Sequence, residues 1–118
     1  MSNGKVYLVP TPIGNLKDIT LRALEVLKNV DIIAAEDTRQ TLKLLNHFDI
    51  KKPLISYHQH NEQGKSEDIL EIIESGKEIA IVTDAGTPGI SDPGAVIVQK
   101  CIEKGYPFEV LPGATAIT

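Results

Sequence analysis

Residues 78–102 carry the sequence EIAIVTDAGTPGISDPGAVIVQKCI, and this stretch decides the fold. Its apolar run at residues 78–83 has the length and composition of a buried strand. A loop rich in glycine and proline follows, and Val96, Val98 and Ile102 then lie in a segment with helical spacing. A strand, a tight loop and a helix in this order form the unit that connects parallel strands.

The same alternation of strand and helix runs along the whole chain. The predicted strands are residues 5–9, 31–35, 53–57, 78–83 and 108–111. The apolar side chains that line the first three helices are Leu21, Leu24 and Leu27, then Leu42 and Leu45, then Ile69, Ile72 and Ile73. Gly76 and Gly105 follow the third and fourth helices, where a left-handed residue is expected. We therefore predict an α/β fold, a five-stranded and mainly parallel sheet with helices on both faces.

Length and composition fit one soluble domain. The chain has 118 residues, of which 42% are hydrophobic and 24% charged, values that are ordinary for a globular protein. The net charge of −4 gives no general attraction for a phosphate backbone, so a basic surface for RNA would have to come from elsewhere. The single cysteine, Cys101, excludes an internal disulfide and fits a reducing compartment. Without a signal-like or membrane-spanning run, we expect a cytoplasmic protein that has no membrane partner.

Unusual residues collect directly after the predicted strands. These clusters are Pro10–Asn15, Glu36–Arg39, His58–Glu62, Asp84–Gly94 and Pro112–Thr115. In an open parallel sheet, ligands bind beyond the carboxyl ends of the strands, where loops and helix N-termini meet. The sequence therefore predicts a functional rim at this edge of the sheet.

The cluster after the fourth strand is the most informative. Three glycines and two prolines lie between Gly86 and Gly94, more than a tight connection needs, which favours close approach of the backbone to a ligand. No G-x-G-x-x-G follows the first strand, so a dinucleotide-binding fold of the usual kind is disfavoured. His58 and His60 lack a nearby cysteine or an E-x-x-H pattern, and we expect no metal site.

Glu36, Asp37 and Arg39 have two interpretations. Asp37 or the following threonine could cap the second helix while Arg39 pairs with a neighbouring acid. Alternatively, a carboxylate and a guanidinium at a strand end could orient a hydroxyl group or bind a phosphate. Spacing alone leaves both open.

Taken together, these motifs resemble the tetrapyrrole (corrin/porphyrin) methylase superfamily along nearly all of the chain. The matching stretches are residues 9–16, 18–23, 35–39, 84–94 and 111–115. Members that methylate tetrapyrroles carry Gly-x-Gly-Pro-Gly after the first strand, whereas residues 10–14 read PTPIG, the version that is typical of the ribosomal RNA branch. The resemblance implies a two-domain enzyme whose cofactor, S-adenosyl-L-methionine, lies between the domains. Residues 1–118 would be the N-terminal domain, the C-terminal domain being absent from this chain, and the full-length protein would be a homodimer.

The resemblance also implies which residues bind the cofactor. Ile13 matches the position whose backbone meets it after the first strand. Thr87 and Ile90 match the contacting positions of the Gly-Asp-Pro loop of relatives, with Thr87 in place of the aspartate. Thr115 and Ala116 match the pair after the fifth strand.

The reaction that the resemblance implies is methyl transfer to the ribose 2′-hydroxyl of a cytidine in small-subunit ribosomal RNA, with this fragment inactive by itself. Glu36 or Asp37 is then the first candidate for the general base and His58 the second, with Arg39 holding a phosphate. Two alternatives are C-methylation of a tetrapyrrole of the uroporphyrinogen or precorrin type and a non-enzymatic α/β binding module. The missing Gly-Pro-Gly loop disfavours the first of these.

Overall fold

The computed structural model describes residues 4–11, 19–57, 62–84 and 92–111; for residues 62, 63, 84 and 92–95 it describes the backbone only. Strands and helices alternate through these ranges as predicted. In chain order they are β1 (Val6–Thr11), α1 (Leu21–Asn29), β2 (Ile32–Ala35), α2 (Thr38–His47), β3 (Leu54–Ser56), α3 (Glu62–Glu74), β4 (Ile79–Asp84), α4 (Asp92–Lys104) and β5 (Phe108–Val110). No helix within the described ranges is both long and apolar enough to cross a membrane.

The strands form one sheet in the order β3-β2-β4-β1-β5, and every pairing is parallel. The central pair, β4 and β1, runs in register from Val6 opposite Ile79 to Thr11 opposite Asp84. The chain moves to one side of the sheet through α1 and α2 and back through α3 and α4. Right-handed crossovers in opposite directions place these two helix pairs on opposite faces.

Two separate apolar clusters show that both faces are covered. Leu27 of α1 and Leu44 of α2 belong to one cluster, together with Val9 of the sheet. Ile73 of α3 belongs to the other, which also contains Leu8. Because consecutive strand residues point to opposite faces, Leu8 and Val9 assign the two clusters to the two sides. The predicted α/β sheet with helices on both faces is confirmed.

The helix faces that the sequence predicted are partly wrong. Leu21, Leu42 and Ile102 are 84%, 50% and 59% exposed. The buried stripe of α1 consists of Ala23, Val26 and Leu27, that of α2 of Thr41, Leu44 and Leu45, and that of α4 includes Ile97 and Cys101. In α1 and α2 the predicted positions are three residues apart, and this spacing drifts about 60° per step around a helix of 3.6 residues per turn, so it leaves the face that i, i+3, i+4 spacing keeps. In α3, Ile69 and Ile73 are buried as expected.

Strand β1 extends two residues beyond its predicted end, through Pro10 and Thr11. The Val6 N–H donates to Pro107 O at 3.2 Å, so the backbone N–H and C=O groups of the even-numbered residues of β1 point toward β5. By this alternation the backbone nitrogen of Pro10 also points toward the β5 side. It lies past the end of β5, whose last residue is Val110. The missing N–H of a proline therefore breaks no bond to β4, and the strand continues.

Ion pairs attach the edge strand β5 to its neighbours. Glu109 accepts a hydrogen bond from Lys5 Nζ at 3.0 Å and lies 3.3 Å from Arg22 of α1. The Lys5 hydrogen bond, with the nearby Arg22, lowers the pKa of the Glu109 carboxyl below its usual value. Lys5 and Glu109 are half-buried and remain in contact with solvent, so these ion pairs add little to the stability of the fold.

Glycines at three positions have a clear backbone role. Gly76 and Gly105 have φ values of 92° and 74°, the left-handed conformation predicted for them at the ends of α3 and α4. Gly4 is buried before β1, and its N–H donates to Ile73 O at 2.7 Å. A Cβ at Gly4 would lie 1.7 Å from the carbonyl oxygen of Lys77, so this position excludes any side chain unless the backbone moves.

Candidate functional site

Three strands end side by side at the edge of the sheet that the sequence predicted as functional. Thr11 at the end of β1 lies opposite Asp84 at the end of β4, and Ala35 at the end of β2 lies opposite Val82. The Thr11 hydroxyl donates to Thr83 O at 3.2 Å, which joins the ends of β1 and β4. Glu36 and Asp37, directly after Ala35, therefore lie beside the ends of the two central strands.

The topology makes this edge a crevice. β1 and β4 are neighbours, but the helices that follow them, α1 and α4, pack on opposite faces. Connections that diverge in this way leave a gap outside the strand ends, and ligands of open α/β sheets bind there. Residues 12–18 and 85–91, which leave these two strands, lie outside the described residues, and with them Ile13, Thr87 and Ile90. Thr115 and Ala116, which come after β5, also lie outside them.

A small cavity of about 30 Å³ opens between the ends of β1, β2 and β4 and the start of α2. Its volume accommodates one or two groups the size of a water molecule. The lining residues are Thr11, Glu36, Asp37, Gln40, Thr41, Leu44, Val82 and Thr83. The structure therefore brings Glu36 and Asp37, which follow β2, together with residues from β1, β4 and α2.

Asp37 caps α2. Its Oδ1 accepts hydrogen bonds from the backbone N–H groups of Arg39 at 3.1 Å and Gln40 at 3.2 Å, and its own backbone is extended. A side chain that satisfies the first free N–H groups of a helix has a structural task of its own. Of the two interpretations that the sequence left open, the capping role is therefore observed for Asp37.

Two substitutions separate the capping role of Asp37 from a chemical one. We expect Asp37→Ala to lower the free energy of unfolding by about 1 kcal/mol because the cap is lost. Asp37→Ser should keep that stability, since serine is an equally good cap, and should also keep activity. Chemical denaturation and a methyl-transfer assay of both variants test this. If the serine variant is stable but inactive, the Asp37 carboxylate itself takes part in the reaction.

Arg39 and Glu36 are both exposed. Neither side chain forms an ion pair or a hydrogen bond with another side chain in the described parts of the chain, so Arg39 has no acidic partner there. Glu36 lines the cavity, whereas Arg39 does not. Glu36 is thus a carboxylate at the crevice without a structural task that the described residues show.

The position of His58 lies outside the described residues, but the residue before it is firmly held. Tyr57 is fully buried, its N–H donates to Ala35 O at 2.9 Å, and its hydroxyl lies 2.8 Å from Ser66 Oγ of α3. This pair ties the end of β3 to α3. The connection that contains His58 therefore starts from a fixed point beside β2.

Two threonines that line the cavity, Thr41 and Thr83, were not among the residues predicted for the site. Thr41 is buried on α2 next to Leu44 and Leu45. A polar residue three and four positions before two buried leucines shares their face, so helical spacing could have singled it out. Thr83 enters through its place in β4, which only the pairing of strands reveals. No group of three His, Cys, Asp or Glu side chains within the described ranges is placed to hold a metal ion.

A crevice at the reversal point of a parallel sheet, lined by hydroxyl and carboxylate groups, defines a ligand-binding domain of the open α/β class. Residues 5–118 match the family model of the tetrapyrrole (corrin/porphyrin) methylases. The chain belongs to this family.

Curated relatives are similar to almost the whole chain. It is 57% identical over 113 residues to the ribosomal RNA small subunit methyltransferase I of Bacillus subtilis, covering 96% of this chain and 39% of that protein. The protein of the same name from Escherichia coli O157:H7 is 56% identical over 115 residues, covering 98% and 40%. That from Thermotoga maritima is 50% identical, covering 98% and 52%. The chain thus spans about two fifths to one half of these relatives.

Solved structures share the fold. A uroporphyrin-III-C-methyltransferase from Thermus thermophilus superposes with a TM-score of 0.73 at 25% identity, covering 93% of this chain and 47% of that one. A diphthine synthase superposes with a TM-score of 0.76 at 17% identity, covering 96% and 45%, a similarity that concerns the fold alone.

Proposed function

We propose that this chain is the cofactor-binding domain of an S-adenosyl-L-methionine-dependent methyltransferase that acts on small-subunit ribosomal RNA. The observation that carries the proposal is the 57% identity to a ribosomal RNA small subunit methyltransferase I, which extends over 96% of the chain. The crevice between β1 and β4 supports it, because two of the family's motifs, residues 9–16 and 84–94, include the carboxyl ends of these strands.

A tetrapyrrole substrate is the second candidate and is not favoured. Identity to the uroporphyrin-III-C-methyltransferase is 25%, less than half of that to the ribosomal RNA methyltransferases. Residues 10–14, PTPIG, also differ from the Gly-x-Gly-Pro-Gly of tetrapyrrole-methylating members. The non-enzymatic binding module loses its basis, since the chain belongs to a family of methylases.

The described part of the crevice fits the proposed cofactor. S-adenosyl-L-methionine presents ribose hydroxyls and an ammonium group, and all of these donate hydrogen bonds. The cavity offers carboxylates and hydroxyl oxygens that accept such bonds. With about 30 Å³ it is too small for a nucleoside, so most of the cofactor would lie outside this cavity. By resemblance, Ile13, Thr87, Ile90, Thr115 and Ala116 would hold it there.

The bound cofactor would supply an electrophilic methyl group on a sulfonium. Transfer of that methyl group to a ribose oxygen would break its bond to sulfur, and the proton of the ribose hydroxyl would need a base among the residues of the chain. We assign that proton to Glu36, because Asp37 uses one carboxylate oxygen to cap α2 while Glu36 is exposed at the crevice. His58 is the second candidate. Arg39, the second residue of α2 and without an acidic partner in the described ranges, would bind a phosphate of the RNA.

The remaining features of the full-length protein are also proposals. The relatives are about two to two and a half times as long as this chain, and we propose that a C-terminal domain covers the crevice and supplies basic surface for the small ribosomal subunit. The net charge of −4 supports the proposal that the RNA-binding surface lies on the C-terminal domain, because it gives residues 1–118 no general attraction for RNA. We further propose a homodimer in the cytoplasm.

A methyl-transfer assay with the full-length protein tests the proposal. Labelled S-adenosyl-L-methionine is incubated with small ribosomal subunits that lack the modification, and in parallel with uroporphyrinogen. We expect label in the ribosomal RNA, at a ribose, and none in the tetrapyrrole. Label in the tetrapyrrole alone would replace the proposed substrate class, and label in neither would contradict the proposed activity.

A further inference from the structure

Thr41 is a buried polar residue whose hydroxyl lacks a hydrogen-bond partner among the residues that the structure describes. Its side chain is 5% exposed, and its hydroxyl makes no hydrogen bond to any residue of the chain's described parts. The other two buried polar side chains there are both bonded, Thr11 to Thr83 O at 3.2 Å and Ser66 to the Tyr57 hydroxyl at 2.8 Å. Buried hydroxyls are nearly always bonded, so one that is not calls for a partner outside the protein.

The position of Thr41 identifies where that partner would be. A helical threonine often bonds back to the carbonyl four residues earlier, here that of Asp37. That carbonyl instead accepts only the N–H of Thr41, at 3.1 Å. Thr41 is one of the residues that line the small cavity at the crevice, with Glu36 and Thr11. Its backbone N–H is already bonded to Asp37 O, so the hydroxyl is the donor that Thr41 can offer to a group in this cavity.

The lining of the cavity defines the chemistry of that group. Glu36 and Asp37 are carboxylates that accept hydrogen bonds and repel anions, so a phosphate is excluded. Thr11 uses its hydrogen on Thr83 O and can only accept from a ligand. The volume of about 30 Å³ admits one or two atoms with their hydrogens, not a ring. These properties select a hydroxyl or amino group at the tip of a larger molecule.

We propose that this cavity is a subsite for a hydroxyl or amino group of the bound ligand and that the Thr41 hydroxyl binds it. The inference rests on the proposed function, which supplies two molecules with such groups: S-adenosyl-L-methionine and the acceptor nucleotide. The hydroxyl of Thr41 is then retained for binding, since it contributes no hydrogen bond within the described fold.

Replacement of Thr41 by valine removes the hydroxyl while keeping the shape. In the full-length protein, Thr41→Val should weaken binding of S-adenosylhomocysteine, or raise the KM for small ribosomal subunits, by about three- to tenfold, the effect of one lost hydrogen bond. Thr41→Ser should restore the wild-type value. The melting temperature of Thr41→Val should stay unchanged or rise, because no hydrogen bond to another described residue is lost. Lys43→Ala, exposed on the same helix, serves as the control and should match the wild type in all three measurements.

The outcomes separate the two sources of the group. A change confined to S-adenosylhomocysteine affinity assigns the subsite to the cofactor, and a change confined to the KM assigns it to the acceptor nucleotide. If neither value changes while the wild type binds and methylates, the cavity holds structural water only and the inference is wrong. A loss of melting temperature that serine does not restore also contradicts it. If the wild type neither binds nor methylates, the proposed function fails, and the subsite with it.

Discussion

Replacement of Glu36 by glutamine should lower the rate of methyl transfer about 10²- to 10⁴-fold, the usual contribution of a general base. Glu36 lines the crevice and forms no bond with another side chain in the described ranges, so its loss should leave the fold intact. Glutamine keeps an acceptor oxygen of the same geometry, and the affinity for S-adenosylhomocysteine should therefore change by no more than about twofold. Single-turnover rates and a binding titration of the full-length protein measure both quantities.

A matched control keeps the Glu36 experiment specific. Glu71 is also exposed, but it lies on α3, which packs on the opposite face of the sheet from α2. Glu71→Gln should leave rate and affinity at wild-type values. If Glu36→Gln is as active as this control, Glu36 is not the base, and His58→Ala becomes the variant to test.

The second large effect is on stability and comes from Gly4. A methyl group at this position would lie 1.7 Å from the carbonyl oxygen of Lys77, and backbone must move to admit it. Such a shift also disturbs the hydrogen bond from the Gly4 N–H to Ile73 O, at 2.7 Å. We expect Gly4→Ala to lower the free energy of unfolding by about 2–3 kcal/mol, at the upper end for overpacking. Urea denaturation monitored by circular dichroism measures it.

Gly64 provides the matching glycine for comparison. It lies on the exposed side of α3, and a Cβ there would meet no atom within 4 Å. Gly64→Ala should raise stability by up to about 1 kcal/mol, because glycine is a poor helix former. If Gly4→Ala and Gly64→Ala change the free energy of unfolding equally, the contact between Gly4 and Lys77 is not tight in solution.

The fold could be predicted from the sequence because strand and helix patterns here agree with the tertiary structure. The predicted strand at residues 78–83 lies within one residue of β4, Ile79–Asp84, at each end. The agreement is close because the strand is an apolar run bounded by polar residues. Pro10 shows the limit of local rules. Proline usually ends a strand, and only the short β5 beside it explains why β1 continues. The buried faces of α1 and α2 were partly missed for a related reason, since leucine occurs on both exposed and buried sides.

The candidate site could be predicted in place but not in detail. Strand ends in a parallel sheet share one edge, and Glu36 and Asp37 do lie there. Whether Asp37 caps a helix or does chemistry depends on a hydrogen-bond geometry that spacing cannot give. The role of Thr41 depends on the absence of a bond, which no sequence pattern records. The cofactor residues followed from resemblance rather than from physical chemistry, and they remain predictions.

Titration of isotope-labelled full-length protein with S-adenosylhomocysteine, followed through backbone amide signals, locates the cofactor. We predict shifts at the ends of β1 and β4, around Thr11 and Thr83, and at Ile13, residues 86–91 and residues 113–116. Signals at the opposite edge of the sheet, such as those of Lys51 and Lys52, should stay in place. No shifts at saturating ligand, or shifts confined to that opposite edge, would contradict a cofactor site in the crevice.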